Sequence, residues 1–351
     1  MSTNYSTVIP MKSPIPHSRP DLGPAEERAV VRALRSGRIG GGEETASFER
    51  ELALAVGARA AVAVHTGSAA LHAALLALGV GKGHRVLMPS YACAAVLNAV
   101  RHAGAREILA DVDPATGNLD PDDARRRLRA RTAALIVPHL FGKPAPLREL
   151  KRLGVPIVED CAMAVGGGTG RGGELSVFSF YATKMLASGH GGAVATSDRR
   201  LHARLLDLAG YDEREDYAVR HNWRMSGLVA ALARAQLARL PEFVQARRRM
   251  AEYYFRATGR GSVEPGHVYY RFVVRAKDVA PFAAFMADRG IEAKRPVFRP
   301  LHRYFAVGRG GYPGAEELHR RAVSVPLYPS LRPGELERVA RALREGAAFL
   351  A

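Results

Sequence analysis

The sequence predicts an α/β protein with a mostly parallel β-sheet covered by helices, followed by a smaller α+β domain. Between residue 58 and about residue 200, short apolar or β-branched runs alternate with longer helical patterns. This alternation is typical of parallel strands joined by crossover helices. After a long helical stretch, the remainder of the chain contains one strand-like run and two helical patterns, which indicates a second, smaller unit.

The strands and helices can be placed from these patterns. We predict strands at 58–64, 85–89, 106–112, 133–139, 155–160, 175–180 and 191–196, with helices at 68–78 and 93–103. Ligand sites in parallel sheets lie beyond the carboxyl ends of the strands, so the residues that follow each run are the first candidates for a site.

The second half of the chain has a different pattern of predicted helices and strands. Residues 228–257 are predicted to form a long helical connection in which Pro241 breaks or starts a helix. A strand at 267–276, a helix at 278–289 and a final helix near 333–349 should follow. We therefore expect an N-terminal arm and large domain in residues 1–238 and a small domain in residues 239–351.

Composition limits the class of protein. The 351 residues contain only Cys93 and Cys161, in no CxxC spacing, which suggests neither a disulfide framework nor a metal site. There is no apolar run of membrane-spanning length, and the first twenty residues lack the apolar stretch of a signal peptide. A cytoplasmic protein without a membrane segment is expected.

The net charge of +17 would suit nucleic acid, an anionic surface or an anionic substrate. Its densest arginine clusters, at 125–131 and 247–249, lie in amphipathic helical patterns without interleaved aromatic residues. Solvated helix faces are the more common origin of such clusters, so nucleic acid is not favoured as a partner. A phosphorylated or nucleotide-linked substrate would also benefit from the positive field.

Lys184 is the first candidate for chemistry. It is one of seven lysines, and it lies between the apolar strand 175–180 and a glycine-rich turn that leads into another apolar strand. A partly desolvated amine suits Schiff-base chemistry. On position alone, a lysine that snorkels from a strand end would be the more common case.

Asp160 makes a chemical role for Lys184 the better interpretation. It ends the predicted strand 155–160, where a carboxylate is costly unless it has a cationic partner. The pyridinium nitrogen of pyridoxal phosphate (PLP) is such a partner, and a carboxylate there keeps the ring protonated so that it accepts electrons. Glu159 should point to the opposite face of the sheet and have a structural role.

A phosphate site is predicted where strand 58–64 turns into helix 68–78. Gly67, Ser68 and Ala69 begin this helix, and its N-terminal N–H groups and dipole would favour an anion. Ser179, five residues before Lys184, could add a hydroxyl donor. Taken singly, the first feature is also an ordinary helix cap and the second an ordinary strand serine.

Together these segments resemble the DegT/StrS-type sugar aminotransferases, a family of fold-type-I PLP-dependent transferases. The resemblance covers the chain from about residue 20 to its end. It is carried by VHTGSAALHAALLALGVGKGHRVLMPSY (64–91), VPIVEDCAMAVG (155–166) and, most specifically, VFSFYATKMLASGHGGAVAT (177–196). The segments HNWRMSGLVAALARAQLARL (221–240), RPLHRYF (299–305) and SVPLYPSL (324–331) are similar to further family signatures.

The resemblance implies a homodimer that moves an amino group from glutamate or glutamine to a keto sugar, usually nucleotide-linked, or to a related cyclic ketone. Lys184 would hold PLP as a Schiff base and shuttle a proton, while Asp160 would pair with the ring. The phosphate would be held by Gly67, Ser68, Ala69, Ser179 and Asn222, the last reaching across to the partner's site. The implied substrate contacts are Tyr91, Arg224, His302 and Tyr328.

The chain departs from the family pattern at several positions. Cys93 stands where an aromatic side chain usually covers the cofactor, so Tyr91 is a candidate to supply that stack. Met163 replaces a usual His or Gln, His190 stands at an often acidic position, and the loop 166–174 is shortened. Cys93 and Met163 are still expected beside the cofactor.

Two other functions remain open at this point. The departures and the positive charge would also fit a regulatory, non-catalytic protein on the same fold, with nucleic acid as its ligand. A PLP-dependent sugar dehydratase would keep the cofactor, but relatives of that kind typically carry histidine in place of the lysine. The presence of Lys184 therefore favours transamination.

Overall fold

The computed structural model describes residues 14–212, 214–305 and 309–351. Its centre is a seven-stranded sheet with the order β1-β7-β6-β5-β4-β2-β3, which confirms the predicted α/β class. The strands of this sheet are β1 Ala60–Val64, β2 Arg85–Pro89, β3 Arg106–Ala110, β4 Thr132–Pro138, β5 Ile157–Asp160, β6 Leu175–Ser179 and β7 Gly192–Thr196.

Helices cover both faces of this sheet. They are α1 Pro24–Arg35, α2 Glu43–Val56, α3 Gly67–Ala77, α4 Ala94–His102, α5 Pro121–Arg127, α6 Leu147–Lys151, α7 Arg199–Leu208 and α8 Gly227–Ala238. The alanine- and leucine-rich α3 is buried along most of its length against β6 and β7. On the other face, Phe48, Phe178 and Phe180 pack with Phe243. With both faces covered, the central strands are buried along most of their length rather than alternating between core and solvent.

The sheet is parallel from β3 to β6, but β7 runs antiparallel to both β6 and β1. The run 191–196 is therefore not one more parallel strand, and residues 180–191 form a direct connection from β6 to β7. Gly192 is the ladder partner of Val64 on β1 and of Ser179 on β6. This position joins the start of α3 to the segment that carries Lys184.

The remaining elements form a smaller unit. They are α9 Leu240–Thr258, β8 Phe272–Arg275, α10 Val279–Asp288, α11 Pro313–Arg321, β9 Ala322–Val325 and α12 Pro333–Glu345. The two strands pair antiparallel. The stretch 228–257 is thus two helices separated at Arg239, with Pro241 in the first turn of α9, where its missing N–H is harmless. A domain boundary after residue 238 stays a prediction.

The N-terminal arm lies on this smaller unit before the chain reaches α1. Ile15 is fully buried, and its N–H donates to the Gly290 carbonyl at 2.8 Å. The His17 ring lies 2.9 Å from the Ser324 hydroxyl oxygen through Nε2. The arm therefore links the two units, because α1 then packs against α8 of the larger one.

The contact at Gly192 leaves no room for a side chain. A Cβ atom there would lie 2.3 Å from the Thr66 carbonyl oxygen, which is backbone and cannot rotate away. We expect Gly192→Ala to lower the free energy of unfolding by about 1–3 kcal/mol, the usual cost of overpacking. Urea denaturation followed by circular dichroism measures this change.

Gly334→Ala is the matched control, because a Cβ atom at that exposed position in α12 meets nothing within 4 Å. Alanine there should be neutral or slightly stabilising. Equal stability of the two variants would contradict the close approach at Gly192.

Candidate active site

A cavity of about 390 Å³ opens at the carboxyl ends of the parallel strands. Such a volume is typical of small-molecule and cofactor sites. The predicted site residues on its wall are Gly67, Ser68, Cys93, Asp160, Met163, Ser179 and Lys184. Residues from five separate strand ends and loops thus face one space.

Lys184 is held on the connection between β6 and β7 by backbone hydrogen bonds. Its own N–H donates to the Tyr181 carbonyl at 2.8 Å, and the N–H of Ala182 donates to Gly189 at 3.1 Å. The loop is closed at its base by Phe180, whose N–H donates to Gly191 at 2.9 Å. The amine is therefore carried by a short, internally bonded loop and directed to the cavity wall.

Asp160 reaches the same cavity from the end of β5. Its carboxylate accepts a hydrogen bond from the Ala162 N–H at 3.0 Å. Burial raises the pKa of Asp160, and the Ala162 bond and the positive charge of Lys184 offset only part of this effect. The carboxylate thus lacks a full counter-charge, and a cation in the cavity would stabilise it.

The amino end of α3 forms a third part of the wall. Thr66 caps the helix, and its hydroxyl oxygen accepts from the Ala69 N–H at 3.1 Å. The first N–H groups of a helix have no partner within it, and those of Gly67 and Ser68 are at the cavity. Ala69 was expected to join them; it does not line the cavity and its N–H is used by the cap, so its part in phosphate binding stays a prediction.

Ser179 lies directly behind Gly67. A Cβ atom at Gly67 would come within 2.7 Å of the Ser179 Cβ atom, so glycine is what allows the helix start and the end of β6 to meet. The Ser179 hydroxyl and the α3 amino end therefore converge on one small region, which fits a phosphate group.

Glu159 points away from the cavity, as expected from strand alternation. Its carboxylate accepts hydrogen bonds from the backbone N–H groups of Gly170 and Gly172, each at 2.7 Å, and from His139 Nε2 at 2.8 Å. Burial acts to raise its pKa, but these hydrogen bonds, that from His139 first, prevail and lower the pKa of Glu159 to about 2. Glu159 is an anchor for the short loop 170–173.

His139 was missed by sequence reasoning, although it ends the predicted strand 133–139. It lines the cavity and connects two structural elements, since Nδ1 accepts from the Ala145 N–H at 2.9 Å while Nε2 faces Glu159. Cys161 lies near both His139 and Glu159. One potential metal-ligand atom of each of the three residues lies within 4.8 Å of the other two. Both imidazole nitrogens are engaged and burial raises the pKa of the Cys161 thiol, which are the properties of a structural cluster.

The rest of the wall is mostly apolar. Cys93 is exposed to the cavity and caps α4, its sulfur lying 3.5 Å from the Ala95 nitrogen. Met163 lies nearby on the wall. Tyr181 and His190, whose rings lie 5.5 Å apart, also line the cavity, and sequence reasoning had not assigned them as site residues. Their proximity to Lys184 in the chain was the available signal.

Three residues predicted to contact substrate lie instead in the protein interior. Tyr91 is fully buried with its ring edge-on to Phe141, so it cannot cover a cofactor face. His302 is also buried, with Nδ1 2.5 Å from the Ser90 hydroxyl oxygen and Nε2 2.7 Å from a Glu316 carboxylate oxygen. These contacts fasten the segment 301–305 to the end of β2.

Tyr328 is the third, buried in the core of the smaller unit. The three side chains turn inward and do not line this cavity, so the substrate contacts that the family resemblance implied stay predictions. Arg224 and Asn222 are exposed and do not line the cavity of their own chain. The Arg224 guanidinium lies 3.7 Å from the Asp212 carboxylate, in an exposed ion pair.

The residues present fit PLP. An amine, a carboxylate that needs a cationic partner, and a helix start with a facing hydroxyl surround one cavity, matching the reactive aldehyde, the pyridine nitrogen and the phosphate of that cofactor. The close approach of Gly67 and Ser179, which places the Ser179 hydroxyl beside the start of α3, is the structural detail that suits a phosphate.

The chain is similar to known proteins over most of its length. GDP-perosamine synthase of Escherichia coli O157:H7 is 29% identical over 94% of this chain and 98% of its own length. The enzyme of the same name from Caulobacter vibrioides is 32% identical over 84% of this chain and 88% of its own. S. venezuelae DesV, solved in complex with a ketimine intermediate, has a TM-score of 0.88 and 31% identity, covering 97% of this chain and 100% of DesV.

The fold and the site together define a fold-type-I PLP-dependent transferase. Residues 20–344 match the DegT/DnrJ/EryC1/StrS aminotransferase family, and the chain belongs to that family. It is a PLP-dependent aminotransferase. The resemblance seen in the sequence is confirmed.

The Glu159 anchor makes acid stability testable. The folded pKa of about 2 lies below the ordinary value of 4.5, so this stabilisation is complete above pH 4.5 and is lost as the pH falls towards 2. We expect Glu159→Gln to lose roughly 3 kcal/mol of unfolding free energy at neutral pH. Its deficit relative to the unmodified protein should shrink as the pH falls through that window, as measured by urea denaturation at a series of pH values.

Glu149→Gln, which removes an exposed carboxylate, is the control and should behave like the unmodified protein. A deficit for Glu159→Gln that stays constant with pH would contradict the proposed ionisation.

Proposed function

We propose that this enzyme transfers an amino group from glutamate or glutamine to a keto sugar carried on a nucleotide. The observation that carries the proposal is the placement of Lys184 and Asp160 on the wall of one cavity beside the start of α3. The name of the two similar synthases contains a GDP-linked amino sugar, which supports a nucleotide-linked acceptor. The net charge of +17 suits a substrate with a diphosphate.

Asp160 is proposed to pair with the ring nitrogen of PLP. Burial already disfavours its charged form, so a protonated ring nitrogen would gain a strong, poorly solvated partner. PLP, when bound, supplies an electron sink for charge that develops at the substrate carbon. Asp160 would keep the ring nitrogen protonated, so that the ring can accept electrons.

Lys184 is proposed as the residue that binds the cofactor and moves the proton. Its amine can form the covalent link in the resting enzyme. Once an amino donor replaces it, the free amine stays on the same cavity wall, held by the short loop 180–191. From there it would take a proton from the substrate carbon and return it to the cofactor side as general acid.

The phosphate is proposed to bind at Gly67, Ser68 and Ser179. Asn222 would complete this site in the partner subunit of a homodimer. Its exposed position on a segment that pairs beside the end of β1 supports this, since the His65 N–H donates to the Trp223 carbonyl at 2.8 Å. In the same segment Tyr217 and Val219 are 96% and 72% exposed, and apolar side chains of this kind are typical of a surface that a partner covers.

The apolar wall is proposed to receive the cofactor ring and the sugar. Cys93 and Met163 would lie against the ring, and the small Cys93 side chain leaves space that an aromatic residue would fill. Tyr181 and His190 at the rim offer hydrogen bonds to a sugar.

A cytoplasmic location is part of the same proposal, because sugar nucleotides are made there. No helix in the described part of the chain combines the length and apolarity needed to cross a membrane.

The proposal predicts a specific change in the spectrum of the purified enzyme. Bound PLP should give a visible absorbance band that bleaches on addition of glutamate or glutamine. Lys184→Ala should lack the band, and amino transfer should fall by about 10²–10⁴-fold because the proton carrier is gone. Absorbance and product formation with a keto-sugar nucleotide measure both effects.

Lys151→Ala removes an exposed lysine on α6 and should leave spectrum and turnover unchanged. A band that persists in Lys184→Ala would refute the assignment of Lys184. A band that bleaches with the donor while no keto-sugar nucleotide is aminated would refute the acceptor class alone.

A further inference from the structure

A buried tyrosine lies behind Lys184 and is surrounded by positive charge. Tyr270 is 4% exposed, and the Lys184 Nζ atom lies 5.4 Å from the centre of its ring. The Arg271 guanidinium carbon lies 4.7 Å from the same ring. Arg247, itself only 3% exposed, donates to the Tyr270 carbonyl oxygen at 3.2 Å. Two cations therefore lie beside the ring of Tyr270, and a third bonds to the main chain of the same residue.

Among the described residues, no carboxylate pairs directly with these cations, although the charge of Lys184 interacts at longer range with the Asp160 carboxylate. Within residues 14–212, 214–305 and 309–351, no carboxylate oxygen lies within 4.0 Å of Lys184, Arg247 or Arg271. Arg247 donates to main-chain carbonyls, and Arg271 contacts the His17 ring at 2.7 Å. Burial lowers the pKa of His17 to about 3, so this ring is neutral and supplies no charge. Arg247 is thus a buried cation without a paired carboxylate in those ranges, which is costly, and a nearby anion would stabilise it.

The phenol of Tyr270 is placed to become that anion. Arg271 Nη2 donates to its hydroxyl oxygen at 3.2 Å, so the oxygen already acts as an acceptor. Thr183, next to Lys184 in the chain, also hydrogen-bonds to the phenol. Burial acts to raise the pKa of Tyr270, but Lys184, Arg271 and Arg247 outweigh it and lower the pKa to about 8. Tyr254 shows the opposite case, since burial without such cations raises its pKa.

We propose that Tyr270 is a positioning residue that controls the charge of Lys184, serving as its counterion whenever the amine is not joined to the cofactor. The phenol releases its proton to solvent while the Lys184 amine keeps its own, so the pair becomes a phenolate and an ammonium. The positive charge of the cluster falls by one. The negative phenolate then faces Lys184, Arg247 and Arg271.

This inference rests on the proposed role of Lys184 and adds a step to it. The lysine must carry a proton from one carbon to another and so must hold the charge of an ammonium group in a poorly solvated site. A phenolate beside it stabilises that charge. Without the phenolate, the two arginines would favour the neutral amine.

Nuclear magnetic resonance of the full-length protein labelled at the tyrosine ζ-carbon tests the ionisation directly. We expect one resonance to titrate near pH 8, well below the ordinary tyrosine value of about 10. It should be missing from Tyr270→Phe, which keeps the ring, and present in Tyr254→Phe, the buried control. A Tyr270 resonance that titrates at the ordinary value or above would overturn the proposal.

The effect on Lys184 is measured by acylation with acetic anhydride at a series of pH values on the full-length chain after removal of the cofactor. Mass spectrometry resolves the modification of each of the seven lysines, and the six others serve as internal controls. In Tyr270→Phe, the midpoint for Lys184 should move to lower pH by about one unit or more. Coincident midpoints in Tyr270→Phe and the unmodified chain would refute the role.

The outcome is separable from the test of the proposed function. The tyrosine titration and the acylation profile do not require turnover, whereas the visible band and its bleaching do not require Tyr270 to ionise. If the band depends on Lys184 but the tyrosine does not ionise, only the role of Tyr270 is lost. If Tyr270 ionises and no cofactor binds, the proposed function fails by itself.

Discussion

The site depends on the opposite orientation of two adjacent carboxylates at the end of β5. Glu159 turns to one face, where backbone N–H groups and His139 satisfy it and hold its pKa near 2. Asp160 turns to the other face, where burial raises its pKa and one backbone bond is its main support. Strand alternation alone separates the two roles. Glu159 stabilises the structure next to the cavity, and Asp160 remains available for catalysis.

The second constraint is the reversal of β7. Because this strand runs antiparallel between β1 and β6, the loop that carries Lys184 returns to the edge of the sheet where α3 begins. Glycine at 67 and at 192 makes this approach possible, since a Cβ atom at either would strike Ser179 or the Thr66 carbonyl. The amine and the phosphate site are thus brought together by backbone packing rather than by direct contact with each other.

Local sequence was enough to predict Lys184, Asp160, Gly67, Ser68 and Ser179 as neighbours of one cavity. Each follows or ends a strand or begins a helix, and the carboxyl ends of parallel strands meet at one edge. Tyr91 and His302 were instead expected near the substrate from the family resemblance, and the structure places both in the interior. Their side chains are buried by contacts with residues far away in the chain, such as the bond between Ser90 and His302.

The sequence by itself determined the α/β class, the approximate strands and the candidate amine and carboxylate, because hydrophobic periodicity and strand alternation are properties of short segments. Only the tertiary structure decided which side chains enter the cavity and which turn into the core. It also decided the surroundings of Tyr270, where Lys184, Arg247 and Arg271 meet from positions far apart in the chain. Electrostatic effects of this kind depend on distance in space and on burial, which no spacing along the chain encodes.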